Sequence, residues 1–326
     1  MAVLDMLRGI NETVRDVISL DFQVVKAQSH YVPGYEDTGL SFERGKAKRS
    51  KIIHTCVLYA DIRNSTTLSH QHSYETMARL YTAFTKSILR LAEHHEAVVR
   101  NIIGDRVMLL FPESNCFTKA VDTAISINTV SKHIIDKHFK GLNFEVGIGI
   151  DYGEMLVVKA GIPKREPERT NYKNLIWIGK PANIASKLTD IASKAADQTI
   201  FKVQFHPYNI ANQFLRGYGL LRNPNSSLYA NYIKEDVISE IEFAKKINYD
   251  DKLGITYSGG KFLKFDKDIA TTKNPPILMS EIVYTEFKSQ NPLRRHDLYG
   301  DLKVEIKDYK GKIYGGDVIW TDYTKV

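Results

Sequence analysis

Between residues 51 and 160 the chain alternates between two apolar periods in an order that few folds accept. Residues 52–60 form a continuous apolar run and predict a buried strand. Residues 73–95 predict a helix, because Met77, Leu80, Tyr81, Phe84, Ile88 and Leu91 fall on one face. Residues 97–103 and 107–111 predict two strands joined at Gly104-Asp105. A second helix is expected over 117–139, then strands over 144–150 and 155–160 joined at Tyr152-Gly153. Strand, helix, strand, strand, helix, strand is the βαββαβ order of a ferredoxin-like α+β fold.

That topology gives two aspartates a meaning. Asp61 closes the first strand in VLYADIRNST, and Asp105 opens the third in NIIGDRVMLLF. In this fold the first and third strands lie side by side and antiparallel, so the two carboxylates meet at one sheet end. Adjacent carboxylates repel unless a cation sits between them. Oxygen ligands suit Mg²⁺ or Mn²⁺ bridging substrate phosphates, and two such ions can serve the attacking and leaving groups of a phosphoryl transfer. The segment Ile62-Arg63-Asn64-Ser65-Thr66 turns into the next helix, where free backbone N–H groups at Asn64, Ser65 and Thr66 suit a triphosphate. The plain alternative for either Asp alone is a turn or capping residue. A third stretch, IGKPANIASKL, spaces Asn183 and Lys187 four apart.

The flanks are less specific. Residues 3–20 form an amphipathic segment with Leu7, Ile10, Val14, Val17 and Ile18 on one face, suited to packing on the core or on a second subunit. Residues 28–50 read as a loop, so the N-terminal part is bounded at 1–50. The catalytic domain is expected over 51–235, with a further strand at 175–178, a helix over 181–193 opened by Pro181, a strand at 199–203 and a short helix from Pro207. Residues 236–326, alternating apolar and polar over 254–265 and 300–320, read as a small β-rich appendage. The net charge of +7 is dispersed, and its densest run, RGKAKRSK, reads as a solvated linker rather than a nucleic-acid surface. Cys56 and Cys116 lack metal-ligand spacing and fit a reducing, cytoplasmic setting. No run approaches the roughly 18 apolar residues that cross a membrane, and no signal-peptide core is visible.

On YADIRNST, IIGD and the Asn183/Lys187 pair within NIASK, residues 50–205 resemble the class III nucleotide cyclases. The resemblance implies that Asp61, Asp105 and the main-chain carbonyl of Ile62 hold two metal ions. It implies that Asn183 orients the ribose and that Lys187 meets charge building on the α-phosphate. It also implies a head-to-tail homodimer, in which the Asp residues come from one subunit and Asn183 and Lys187 from the other.

Two departures shape the expected activity. The family usually carries Arg at position 187; Lys supplies the charge without the fork. Adenylyl cyclases usually carry a Lys where Asn101 stands and an Asp or Thr where Ile176 stands. Tyr59 occupies a place where Phe is common. A base pocket of Tyr59, Asn101 and Ile176 suits a smaller base read through mixed polar contacts. The combination is similar to the pyrimidine cyclases of Pycsar anti-phage systems. It implies conversion of CTP or UTP to the 3′,5′-cyclic monophosphate, with the product acting on a separate effector protein. The alternatives are a purine cyclase and a catalytically inactive nucleotide sensor. A diguanylate or polymerase-like enzyme fits less well, since its Gly-Gly-Asp/Glu-Glu-Phe loop and basic groove are missing.

Overall fold

The computed structural model describes residues 3–41, 47–161, 173–209 and 230–322. The chain opens with helix α1 (Val3–Ser19), strand β1 (Phe22–Lys26) and the long strand β2 (Lys48–Ile62). Helices α2 (Ser65–Gln71) and α3 (Tyr74–His94) follow, then strands β3 (Val98–Ile103) and β4 (Arg106–Leu110). Helix α4 (Cys116–Val130) continues through a π turn, Ser131–Ile135, into the short α5 (Asp136–His138). Next come β5 (Val146–Gly161), β6 (Lys173–Ile178) and α6 (Lys180–Ile191). Strands β7 (Ala195–Pro207), β8 (Lys234–Ser239), β9 (Ile247–Asp250), β10 (Gly254–Tyr257) and β11 (Gly260–Lys273) precede a last group: β12 (Ile277–Ser280), β13 (Gly300–Leu302) and β14 (Ile313–Gly316).

The chain divides into two compact units, one formed by Met1–Lys194 with Asn274–Val326 and the other by Ala195–Lys273. In the first, the sheet runs β13-β14-β12-β5-β2-β4-β3, with β1 on β2 and β6 on β5. Its centre, β5-β2-β4-β3, is the strand order of the ferredoxin-like fold. β2 alternates between two cores. Cys56, Leu58, Ala60 and Ile62 join Leu80, Phe84 and Ile88 of α3 and Ala120 and Ala124 of α4. Ile53 and Val57 join Met108, Leu110, Met155 and Val157 with Ala182 and Ala185 of α6. Helix α3 is started by Ser73, whose hydroxyl accepts from the Thr76 N–H at 3.3 Å. Its buried stripe, Met77, Leu80, Phe84, Ile88 and Ala92, has the expected helical spacing.

Two expectations are corrected. Residues 146–161 are one continuous strand, not two strands turned at Tyr152-Gly153. A Cβ at Gly153 would stand 2.9 Å from Pro181 Cγ, so this glycine lets the start of α6 approach the strand. Gly149 does the same further along, where a Cβ would lie 2.2 Å from the Ala185 carbonyl oxygen. The division expected between residues 235 and 236 also lies elsewhere. Among the described residues, 274–322 return to the first unit: β12 pairs in parallel with β5, matching Ile277 to Ile148 and Met279 to Ile150. Ile277, Met279, Val283 and Phe287 enter the main core because their apolar bulk fills the sheet edge beyond β5. The helix expected from Pro207 falls largely on residues outside those described.

The second unit is a sheet in the order β8-β7-β11-β10-β9. Its small core is aromatic, with Phe205 edge-on to Tyr257 at 5.0 Å and Phe201 against Phe243 at 4.9 Å between ring centroids. The ribbon of β7 and β11 ends at the pair Lys273↔Ala195. One residue further out, the Asn274 N–H donates to the Lys194 carbonyl at 2.9 Å. The first unit is therefore already closed at the point where the second departs. Replacing residues 195–273 with a two-residue Asn-Gly turn is expected to leave the first unit folded. A single cooperative transition in urea, followed by far-UV circular dichroism, checks this.

Asp151 on β5 is 5% exposed. Burial pushes its carboxyl up to about 6, against the opposing pull of Ser280, the Tyr152 main chain and Lys180. The folded state thus holds a proton that the unfolded chain releases near pH 4. Stability is expected to fall by about 3 kcal/mol between roughly pH 4 and pH 6 from this group. Denaturant titrations of the wild type and Asp151→Asn across that window should show the slope reduced in the variant.

Candidate functional site

The end of β2 places Asp61 between two neighbours: Arg106 on β4 and Gly147 on β5. Asp105 precedes Arg106 in the β3–β4 turn, which Gly104 makes with a left-handed φ of 61°. Both aspartates therefore reach the same sheet end, as the topology requires. Their charges act together on Tyr81 of α3. Burial raises its phenol first, and Asp105 and then Asp61 raise it further.

Asp61 is heavily compensated. Its Oδ2 accepts from Arg63 Nη2 at 2.9 Å and from Arg106 Nη2 at 2.8 Å. Arg63 is 5% exposed. It lies against β5 because position 147 is glycine; a Cβ there would stand 2.8 Å from the guanidinium carbon. Arg63 Nη1 also donates to the Asp190 carbonyl at 3.3 Å. Arg106 donates to Ser186 Oγ at 2.9 Å and to the Asp190 carboxylate. Ser186 and Asp190 are four apart on α6, so one helix face locks onto the strand end. Burial lowers the Arg63 pKa below the ordinary guanidinium value. Burial works the same way on Arg106, but the hydrogen bonds it donates to Asp61 and Asp190 outweigh it and hold the group above that value.

The donor set fits a hard divalent cation. Two carboxylates converge, and among the described residues no cluster of three or more His, Cys, Asp or Glu side chains is arranged to hold a metal alone. Such a cation takes one or two carboxylates and fills its shell with phosphate, water or main-chain oxygen. Ile62, the next residue of β2, is 2% exposed. Asn64 follows in a left-handed conformation and opens α2 without a side-chain cap. Asn64 and Thr66 are exposed and Ser65 half-buried beside the carboxylates. A cavity of about 800 Å³, lined among others by Asp151, Lys180, Pro181, Glu281 and Tyr309, includes neither Asp61 nor Asp105. Charge rather than concavity locates this site.

The other expected residues separate into two groups. Tyr59 and Asn101 both stand opposite Met108 in the ladder, so they share a row and a face. The Tyr59 hydroxyl reaches Met108 Sδ at 3.3 Å, and Asn101 is exposed. Ile176 stands opposite Val158, one step from Trp177, which packs with the Met155 and Val157 core. Alternation therefore turns Ile176 to the other face, and it does not join Tyr59 and Asn101 within one chain. Asn183 is exposed on α6. Lys187 Nζ donates to the Lys307 carbonyl at 2.7 Å and to Asp308 Oδ2 at 3.1 Å. Position 187 thus faces the chain's C-terminal part, while Ser186 and Asp190 face Asp61.

Arg63, Arg106, Ser186, Asp190 and Tyr81 were not expected at the site. One signal was available. Arg63 follows Asp61 by two residues at a strand end, the spacing that shares a face.

Residues 48–199 match the adenylate and guanylate cyclase catalytic domain, so this part of the chain is similar to the class III nucleotide cyclases. The match stops just inside the second unit. A uridylate cyclase of Burkholderia cepacia is 29% identical over 168 residues, covering 50% of this chain and 69% of that protein. One from Micromonospora echinofusca is 26% identical over 196 residues, covering 58% of this chain and 62% of the relative. One from Gulbenkiania mobilis is 24% identical over 221 residues, with 64% and 79% covered. Among solved structures, the adenylyl cyclase CyaB from P. aeruginosa aligns with 82% of this chain and 94% of its own, at 14% identity and a TM-score of 0.47.

Removing the Arg63 guanidinium leaves Asp61 leaning on Arg106 alone, and removing Asp61 strands a buried guanidinium. Arg63→Met and Asp61→Ala are each expected to cost about 3 kcal/mol, whereas Asp105→Ala in the turn should cost under about 1 kcal/mol. Urea denaturation of the three variants checks the order.

Proposed function

We propose that the chain is a pyrimidine nucleotide cyclase that converts UTP to 3′,5′-cyclic UMP and pyrophosphate. The observation that carries this reading is the convergence of Asp61 and Asp105 at one sheet end, in a chain whose curated relatives are named uridylate cyclases. In the reaction the ribose 3′-oxygen forms a bond to the α-phosphorus, the bond to the pyrophosphate oxygen breaks, and the 3′-hydroxyl proton passes to solvent. Asp61, Asp105 and the Ile62 carbonyl would hold two divalent ions, Mg²⁺ or Mn²⁺. When bound, these neutralise the triphosphate and favour the ionised 3′-oxygen.

The chain's own residues do the rest. Asn64, Ser65 and Thr66 present the start of α2 to the phosphates. Tyr59 and Asn101 frame the base from one subunit, and Ile176 closes it from the other. Asn183 orients the ribose. Lys187 offsets charge on the α-phosphate, which requires it to leave Asp308 or to bring that contact into the complex. Lys187 is held by Lys307 and Asp308, and Ile176 lies on the opposite sheet face from Tyr59, and this favours a homodimer in which a second copy completes each site. The resemblance to Pycsar enzymes supports a role in anti-phage signalling, with the cyclic nucleotide read by a separate effector.

Purified protein with Mn²⁺ and each of ATP, GTP, CTP and UTP is expected to yield cyclic UMP as the main product by mass spectrometry. A dominant cyclic purine overturns the base assignment, and nucleotide binding without pyrophosphate release supports an inactive sensor. Loss of several kcal/mol of metal stabilisation should make Asp105→Ala slower by about 10²–10³-fold. Mixing Asp105→Ala with Lys187→Ala chains should restore partial activity, and no rescue would contradict the shared site.

A further inference from the structure

A lysine is a flexible side chain with three N–H donors and no acceptor. Near the surface such a group ordinarily keeps much of its rotamer freedom. Lys187 does not. Its Nζ donates to the Lys307 carbonyl at 2.7 Å and to Asp308 Oδ2 at 3.1 Å, while the side chain stays 36% exposed. Two acceptors fix the direction of the ammonium and leave its third N–H for an anion.

The acceptors sit on a built turn. Ile306 and Tyr309 bridge each other, and the Tyr309 N–H donates to the Ile306 carbonyl at 3.1 Å. Lys307 and Asp308 form the tip, with Asp308 left-handed at a φ of 70°. Both ends of the turn are tied down. Ile306 joins Ile184 and Leu188 of α6 in one small core, and those two residues bracket Lys187 on the helix. The Tyr309 hydroxyl accepts from the Glu281 N–H at 3.0 Å and donates to the Lys312 carbonyl at 3.3 Å. The turn is thus fixed to the helix that carries the lysine.

Stability does not account for this arrangement. The Asp308 side chain is 70% exposed, and an exposed ion pair contributes little. Left-handed backbone at a residue other than glycine costs part of even that. The geometry serves Lys187 instead. Arg orients itself on a phosphate through its planar fork, and Lys has no fork. The turn supplies the orientation from outside. Water screens the exposed Asp308 carboxylate, so the ammonium keeps its attraction for phosphate.

We propose that Asp308, together with the Lys307 carbonyl, is a positioning residue that holds the Lys187 ammonium with its remaining N–H ready for charge on the α-phosphate. This role rests on the cyclase reading of Lys187 above and deepens it, since the contact with Asp308 is kept in the complex rather than broken.

The test compares Asp308→Gly and Asp308→Asn in the full chain, with Mn²⁺ and whichever of the four triphosphates the wild type cyclises. Glycine accepts the left-handed backbone and removes the carboxylate. It is expected to lower kcat about tenfold, with KM changed by less than about twofold, because the lost orientation matters in the transition state. Asparagine tolerates the same backbone and keeps an acceptor oxygen, so it should recover most of the lost rate. In Lys187→Ala, where there is nothing to position, adding Asp308→Gly should change kcat by less than about twofold. An unchanged kcat in Asp308→Gly overturns the proposal, and a raised one overturns it by making the contact a brake. An equal loss in the Lys187→Ala background also overturns it, since the turn would then act only on the fold. A second readout needs no turnover. Acetylation of Lys187 by acetic anhydride, quantified by peptide mass spectrometry, should rise about threefold in Asp308→Gly. Equal rates in the two proteins overturn the holding contact. A wild type that protects Lys187 in this way but cyclises none of the four triphosphates fails only the enzymatic reading.

Discussion

The antiparallel pairing of β2 with β5, continuous from Lys51↔Val157 to Ile62↔Val146, sets the position of nearly everything at the site. It puts Gly147 opposite Asp61 and Gly149 opposite Tyr59. With no side chains at those two places, α6 settles against the sheet and Arg63 lies flat beneath Asp61. A methyl group at either glycine would collide with the α6 backbone or the guanidinium. The acidic strand end and the helix carrying Asn183 and Lys187 are thus coupled by the absence of two side chains.

The charge cluster built on that contact is close to balance. Asp61 and Asp190 pair with Arg63 and Arg106, and the nearby Asp105 leaves the cluster with one net negative charge. Buried ion pairs gain little net stability when complete and lose much when one partner is removed. Their value here is positional, since Arg106 joins Asp61 on the sheet to Asp190 and Ser186 on the helix. A divalent cation bound at Asp61 would compete with two guanidinium groups. Arg106 already has Asp190 as a second acceptor, so its release from Asp61 does not leave it unpaired.

Much of this was legible in the sequence because the relevant signals are local. The 3.6 period of α3, the apolar run of β2 and the Gly104-Asp105 turn each lie within a few residues. Once their order was read, the meeting of Asp61 with Asp105 followed from topology. What escaped were features set by distant neighbours. Gly153 looks like a turn residue until Pro181 is seen against it. Residues 254–265 and 300–320 alternate in the same way, yet the first belongs to the second unit and the second contributes β13 and β14 to the sheet that carries Asp61. Alternation records which residues face a sheet's two sides, not which sheet it is. Arg106 and Asp190 meet across 84 positions, and no local pattern announces that.

The closure at Lys194 and Asn274 bears on how such a chain can fold. β12 must pair with β5 although more than a hundred residues separate them. Closing a long loop costs entropy that grows with its length, and distant parallel pairing slows folding. The ribbon of β7 and β11 removes most of that separation. Once it zips from its own turns down to Lys273↔Ala195, the ends of the 79 intervening residues are side by side. The search that remains for β12 is then that of a short connection after α6. By closing on itself, the second unit leaves only a short effective connection between α6 and β12.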